Sequence, residues 1–119
     1  MHGISFGKQM LLAAVIMSLF AFLVVASTAK AADLAAAKKT FEEKCAKCHG
    51  DTGKGDGPKA KILKKKPKDY TDKAEMAKFT DAKLKEGIVE GEKPMPSYKG
   101  KLDDKTIDDL IAYIRTFAK

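Results

Sequence analysis

The sequence predicts an all-α domain, and three observations support this fold class. Apolar residues recur at intervals of three and four positions in three stretches, beginning near residues 33, 80 and 103, which is the spacing that gathers them on one face of a helix. No stretch alternates apolar and polar residues with the period of two that marks a half-buried strand. Clusters of glycine and proline at residues 50–58 and 91–100 separate the three stretches and interrupt regular structure.

Residues 1–31 are predicted to be a secretory signal peptide. They combine a short amino-terminal region containing Lys8, an apolar run at residues 10–26 and the small-residue ending Ala29-Lys30-Ala31. Cleavage after Ala31 would leave one domain at residues 32–119, exported to the periplasm. The alternative is an uncleaved anchor, because no charge interrupts the chain between Lys8 and Lys30 and such a length can span a bilayer.

The first predicted helix begins after Asp33, whose carboxylate is suited to cap it. The residues predicted to share its inward face are Leu34, Ala37, Phe41, Cys45 and Cys48. One face of this helix therefore carries both core side chains and the two cysteines of the chain.

Cys45-Ala46-Lys47-Cys48-His49 is the most informative motif in the sequence. Two cysteines three positions apart, followed directly by histidine, have the spacing for covalent haem c: both thiols bond to the haem, and the imidazole binds its iron. A structural disulfide leaves His49 unexplained, and a thioredoxin-like pair needs a βαβ context that the sequence lacks. Zinc would be one ligand short, since the other histidine, His2, lies in the predicted signal.

Two polar segments follow this motif. Residues 50–58 predict a tight loop whose backbone approaches the haem edge, because glycine adopts conformations closed to other residues. They lack the sequence of a phosphate-binding P-loop. Residues 59–68, here called the lysine-rich segment, hold six lysines around Ile62 and Leu63. They predict either a solvated short helix or a docking patch.

Two further helices are predicted in the second half of the chain. The earlier one begins at Thr80-Asp81 and stops at Gly91. Its inward residues are predicted to be Leu84, Ile88 and Val89. The later one begins near Asp103 or Asp104 and is expected to run to the end of the chain. Its apolar face is formed by Ile107, Leu110, Ile111, Ile114 and Phe117, with Tyr113 beside it.

Met95 stands between two prolines within residues 92–100. Proline fixes its own backbone and favours an extended predecessor, so Met95 is held in a stiff non-helical segment. With His49 as the proximal iron ligand, we assign the sixth position to Met95; Met76, a lysine such as Lys93, or an open position are the alternatives. A histidine and thioether pair keeps iron six-coordinate and suits it to one-electron transfer.

These motifs together resemble the small class I c-type cytochromes of bacterial periplasms. The resemblance covers roughly residues 33–119. The segments that carry it are residues 41–50, 53–58, 93–96 and 109–114.

The resemblance implies the cytochrome c fold, in which the amino- and carboxy-terminal helices cross and short helices and loops surround one haem. It implies that they cross at Ala37, with Phe41 near Leu110 and Tyr113. It also implies that the carbonyl of Pro58 accepts a hydrogen bond from the proximal histidine, and that charged residues around an exposed haem edge dock redox partners.

The charge of the chain narrows the class of partner. The formal net charge is +7, and the chain stays basic without Lys8 and Lys30, which predicts redox protein partners with an acidic docking face. The lysines are scattered among acidic residues and no aromatic platform accompanies them, so the sequence does not indicate a nucleic-acid partner. We expect a monomeric periplasmic electron carrier and not an enzyme, with membrane contact only if residues 1–31 are retained. The alternatives are a tethered haem subunit of a respiratory complex, or a sensor or enzyme in which Met95 is displaced.

Overall fold

The computed structural model describes residues 30–119, so the predicted signal peptide lies almost entirely outside the described residues. Residues 31–119 form one unit. Its helices are α1 (Leu34–Lys44), α2 (Ala46–His49), α3 (Lys73–Ala77), α4 (Asp81–Glu90) and α5 (Asp104–Arg115), with a 3₁₀ turn at Ala60–Ile62. Within the described range the β-structure amounts to an isolated bridge between Glu92 and Met95. The predicted all-α class is confirmed.

The three longest helices, α1, α4 and α5, begin where the sequence predicts, because each follows a side chain that caps it. The capping side chains and the amides that donate to them are Asp33 and Ala36 (2.9 Å), Thr80 and Lys83 (3.2 Å), and Asp103 and Thr106 (2.7 Å). Each bond satisfies an amide that has no partner in the first helical turn. Helix α4 stops before Gly91, as predicted, where the backbone turns to a positive φ of 71°.

Helices α1 and α5 pack against each other at the centre of the domain. Ala37 and Phe41 on α1 are buried, as is Leu110 on α5. The rings of Phe41 and Tyr113 meet edge to face with their centroids 5.6 Å apart, an arrangement that aromatic rings favour. The predicted contact between the first and last helices is therefore confirmed, and Ala37 on the first helix is buried.

The first half of the domain differs from the sequence prediction in three details. The helix predicted to continue through Cys48 is interrupted at Cys45, and α2 begins at the next residue. Leu34, expected to face inward, is 44% exposed because it is the first residue of α1. The lysine-rich segment forms a single 3₁₀ turn and not a regular helix, since its like charges repel one another at helical spacing.

The second half contains a helix that was not predicted, α3, which follows a loop. Asp72 caps it by accepting a hydrogen bond from the amide of Glu75 at 3.0 Å. Helix α5, expected to reach the end of the chain, ends at Arg115. The amides of Thr116 and Phe117 bond to carbonyls three residues back, and this tighter turn closes the helix.

Arg115 links α5 to the connection between α3 and α4. Its guanidinium donates to the carboxylate of Asp81 at 2.8 Å and to the carbonyl oxygens of Met76 (2.9 Å) and Phe79. The planar fork of arginine can serve several acceptors at once, so one side chain joins three elements. No helix within residues 30–119 combines the length and the apolar character needed to cross a bilayer.

Candidate haem-binding site

A cavity of about 440 Å³ lies beside the cysteine motif, and several separate parts of the chain line it. Cys45, Cys48 and His49 contribute from the region of α2, and Met95 contributes from the loop after α4. The apolar side chains of the wall include Leu63, Leu84, Ile88, Leu102, Leu110 and Ile114. The size and the mainly apolar wall are those of a cavity that binds a cofactor.

His49 is buried, with 8% of its surface exposed. Its Nδ1 lies 3.1 Å from the carbonyl oxygen of Lys68. A carbonyl accepts only, so Nδ1 carries the proton and Nε2 keeps the lone pair. Burial lowers the pKa of His49, which favours the neutral imidazole. This is the tautomer and charge state in which histidine binds a metal through Nε2.

Tyr70 is the second partner of this imidazole, and sequence analysis did not identify it. The two rings stack with centroids 4.6 Å apart and an angle of 14° between their planes. The Tyr70 hydroxyl lies 3.3 Å from Nε2, and burial raises the pKa of Tyr70. One indication of the role of Tyr70 is present in the sequence: it is an aromatic residue next to a polar, lysine-containing stretch. Residues in such stretches are more often exposed than buried.

Pro58 was expected to supply the carbonyl that accepts a hydrogen bond from His49, but in this structure Lys68 does so. Pro58 is exposed and lies against the backbone of α2. The amides on either side of it, those of Gly57 and Lys59, bond to the carbonyl oxygens of Cys48 and Lys47 at 3.1 and 2.9 Å. These bonds hold the Pro58 region beside the α2 backbone.

The glycine-rich loop, residues 50–58, packs against α2 and does not contribute to the cavity wall. A Cβ at Gly57 would lie 2.5 Å from the carbonyl oxygen of Ala46, and one at Gly55 would lie 2.5 Å from that of Pro67. Contacts this short exclude any side chain. The backbone of this loop therefore makes the expected close approach, but it approaches the backbone of Ala46 and Pro67 and not the cavity.

Cys45 and Cys48 are free thiols and both line the cavity. Burial raises the pKa of the Cys45 thiol to about 11. Redox-active cysteine pairs contain a thiol with a lowered pKa, so the environment of Cys45 disfavours the thioredoxin-like alternative. Two thiols that open onto an apolar cavity beside an imidazole are instead placed for covalent attachment of a group that fills it.

Of the two methionines in the described domain, Met95 lines the cavity and Met76 does not. Met76, an alternative sixth ligand, is buried in the core with 1% exposure. Lys93, the alternative sixth ligand, also lies outside the cavity wall. The structure thus brings Cys45, Cys48, His49 and Met95 to one cavity.

Hydrogen bonds to the end of α4 fix the loop that carries Met95. The Tyr98 amide donates to the carbonyl of Ile88 at 3.1 Å, and the Ser97 hydroxyl donates to that of Val89 at 2.7 Å. Two thiols, an imidazole nitrogen and a thioether around a mainly apolar cavity form the donor set that suits a covalently bound haem. No cluster of three or more histidine, cysteine or acidic side chains suitable for a bare metal ion occurs within residues 30–119.

Comparison with known proteins identifies the family of the chain. The cytochrome c family profile matches residues 34–118. The chain is 34% identical over 88 residues to cytochrome c6 of Synechocystis sp., covering 74% of this chain and 68% of that protein. It is 34% identical over 90 residues to FixP, a cbb3-type cytochrome c oxidase subunit of Bradyrhizobium diazoefficiens, covering 75% of this chain but 29% of FixP.

A solved structure, the KustC0563 c-type cytochrome, superposes with a TM-score of 0.62 at 27% identity, over 70% of this chain and 98% of that one. The site therefore defines a covalent haem protein of the c type. The chain belongs to the cytochrome c family. Its cofactor is one covalently attached haem c with iron, for which Cys45 and Cys48 fit the attachment motif.

Proposed function

We propose that the chain is an exported single-haem electron carrier in which His49 and Met95 are the axial ligands of the iron. The observation that carries this proposal is that Met95 lines the same cavity as His49 and the two cysteines, whereas Met76 lies in the core. A bound haem supplies the one-electron Fe(II)/Fe(III) couple. The residues of the chain attach it, hold its iron and exclude water from it.

The two ligands have distinct roles in setting the redox chemistry. The bond from His49 Nδ1 to the Lys68 carbonyl orients the imidazole and makes Nε2 a stronger donor. The soft sulfur of Met95 favours ferrous iron and so raises the reduction potential. With both positions filled, an exogenous molecule must displace Met95 to bind, which favours electron transfer over catalysis at the iron.

The ligation is tested with the optical spectrum of the ferric protein. Methionine sulfur bound to ferric iron gives a weak long-wavelength band, which we expect in the wild type. Met95→Leu should abolish the band and lower the midpoint potential. Met76→Leu is the matched control, because it replaces a core methionine with a side chain of similar volume, and it should retain the band. A high-spin wild type without the band would contradict the proposal and favour a sensor or enzyme.

We further propose that the electron-transfer partners present an acidic face to the lysine-rich segment. Three of its lysines, Lys65, Lys66 and Lys68, line the cavity, and Ile62 within it is 81% exposed. Lys65 pairs with Glu92, which lies in the loop that carries Met95 (residues 91–100, the Met95 loop). This single exposed pair leaves the lysine-rich segment strongly positive. Positive charge at the cavity edge increases the rate of encounter with an acidic partner.

An anionic oxidant, ferricyanide, serves as the probe of this charge. Lys66→Glu should slow oxidation of the reduced protein several-fold at low salt, and the difference should shrink as salt screens the charges. Lys39→Glu is the matched control, since Lys39 lies on α1 away from the cavity wall. Equal slowing in the two variants would show that net charge, and not the lysine-rich segment, controls the rate.

We propose that residues 1–31 are a cleaved signal and that the domain at residues 32–119 is released into the periplasm. We also propose that this domain is a monomer. Mass spectrometry of the haem-loaded protein tests this, with Ala32 as the expected first residue. The second candidate is a tethered haem subunit of a respiratory complex. FixP, itself named an oxidase subunit, supports this candidate, although the chain spans less than a third of its length. An intact Met1 on the haem-loaded protein would favour it.

A further inference from the structure

The Tyr98 side chain crosses from the Met95 loop to the end of α1. Its hydroxyl donates a hydrogen bond to the carbonyl oxygen of Lys44 at 2.9 Å, across 54 positions of sequence. Lys44 is the last residue of α1 and directly precedes Cys45. Tyr98 and Cys45 both line the cavity. The bond therefore joins the part of the cavity wall that carries Met95 to the part that carries the attachment motif.

The other hydrogen bonds of this loop do not make that connection. The amides of Tyr98 and Lys99 and the hydroxyl of Ser97 bond to carbonyls of Ile88 and Val89, at the end of α4. Among the described residues, the Tyr98 hydroxyl provides the hydrogen bond that ties residues 91–100 to α1. Burial raises the pKa of Tyr98, so its hydroxyl keeps its proton and remains a donor at neutral pH.

We propose that Tyr98 is a positioning residue for the sixth iron ligand: its bond to the Lys44 carbonyl fixes the Met95 loop relative to the haem-attachment motif. This inference rests on the proposed ligation by His49 and Met95. Without the Tyr98 bond the loop is tied to α4 and, through the exposed Lys65–Glu92 pair, to the lysine-rich segment. With the bond it is also held at α1, next to Cys45. Tyr98 thereby limits how readily Met95 leaves the iron.

The expected change in imidazole affinity follows from the loss of one hydrogen bond. Tyr98→Phe keeps the ring in the cavity wall and removes the hydroxyl alone. Imidazole added to the ferric protein binds iron when Met95 leaves, so its affinity measures how easily Met95 is displaced. We expect Tyr98→Phe to bind imidazole about fivefold more tightly, which corresponds to about 1 kcal/mol, the net contribution of one such bond.

Tyr113→Phe is the matched control. This variant also loses one hydroxyl, but Tyr113 packs against Phe41 in the α1–α5 core and lies outside the cavity wall. Its imidazole affinity should stay within twofold of wild type. Amide exchange gives a second readout, because the amides of Met95 and Tyr98 should exchange faster in Tyr98→Phe while those of α5 keep their wild-type rates.

The outcomes separate this proposal from the one on which it depends. If wild type shows the methionine–iron band and Tyr98→Phe binds imidazole as wild type does, the positioning role is refuted and the ligation stands. If both tyrosine variants gain affinity equally, or exchange accelerates throughout the domain, Tyr98 acts on general stability and the proposal also fails. If wild type lacks the band, the ligation fails, and the role of Tyr98 fails with it.

Discussion

Gly91 allows the Met95 loop to pack against the end of α4, and its replacement by alanine gives a quantitative prediction. Its φ is +71°, and a Cβ there would lie 2.6 Å from the Ser97 amide nitrogen and 2.9 Å from the Met95 carbonyl oxygen. Both neighbours are backbone atoms, so they yield only if the loop moves. Gly91→Ala therefore combines an unfavourable φ with a displacement of the segment that holds Met95.

The matched control is Gly100→Ala. Gly100 has nearly the same φ, +69°, but a Cβ at this position would meet no atom within 4 Å. A left-handed conformation costs an alanine about 1 kcal/mol, and overpacking adds roughly 2 kcal/mol more. The free energy of unfolding should thus fall by about 1 kcal/mol in Gly100→Ala and by about 3 kcal/mol in Gly91→Ala.

Urea unfolding of the haem-loaded variants, followed by far-UV circular dichroism, measures these losses. A difference of about 2 kcal/mol between the variants separates their midpoints by roughly 1–2 M urea. The ferric spectrum adds a local readout, because Gly91→Ala should weaken the methionine–iron band and Gly100→Ala should preserve it. Equal losses of stability, with the band intact in both, would refute the argument that the close approach at Gly91 positions the loop.

Three further predictions concern the scaffold. Phe41→Ala should lower the free energy of unfolding by about 3–5 kcal/mol in urea, because Phe41 is fully buried between α1 and α5. Arg115→Met should lower it by about 1–3 kcal/mol by the same assay, since two main-chain carbonyls and a carboxylate each lose one donor. The hydrogen bond from the Thr106 amide lowers the pKa of the Asp103 carboxyl below its ordinary value of 3.8. Ionised Asp103 therefore stabilises the folded state above pH 3.8. This stabilisation is lost as the pH falls through the lower pKa of the folded state. Asp103→Asn, which still caps the helix, should therefore show a shallower loss of stability between pH 5 and pH 2 than wild type in an acid titration followed by circular dichroism.

The helix boundaries show which parts of the fold local sequence patterns can predict. Asp33 and Thr80-Asp81 were identified as helix starts from residue type and position, and Asp103 was one of two possible starts. The side chains of Asp33, Thr80 and Asp103 each accept a hydrogen bond from an amide three residues on, because a cap bonds within three residues of itself. Helix α3 was missed although Asp72 caps it in the same way. Five residues carry too little hydrophobic periodicity to be recognised, and the burial of Met76 in the core stabilises this short helix.

The sequence by itself determined the attachment motif, the all-α class and the starts of the main helices, because each depends on residues within a few positions of one another. The tertiary structure decided which methionine faces the cavity and which lies in the core. It also decided that the carbonyl of Lys68, 19 positions from His49, accepts its hydrogen bond, and that the hydroxyl of Tyr98 reaches Lys44. These contacts form between loops whose paths depend on the packing of the whole domain, so local propensity could not specify them.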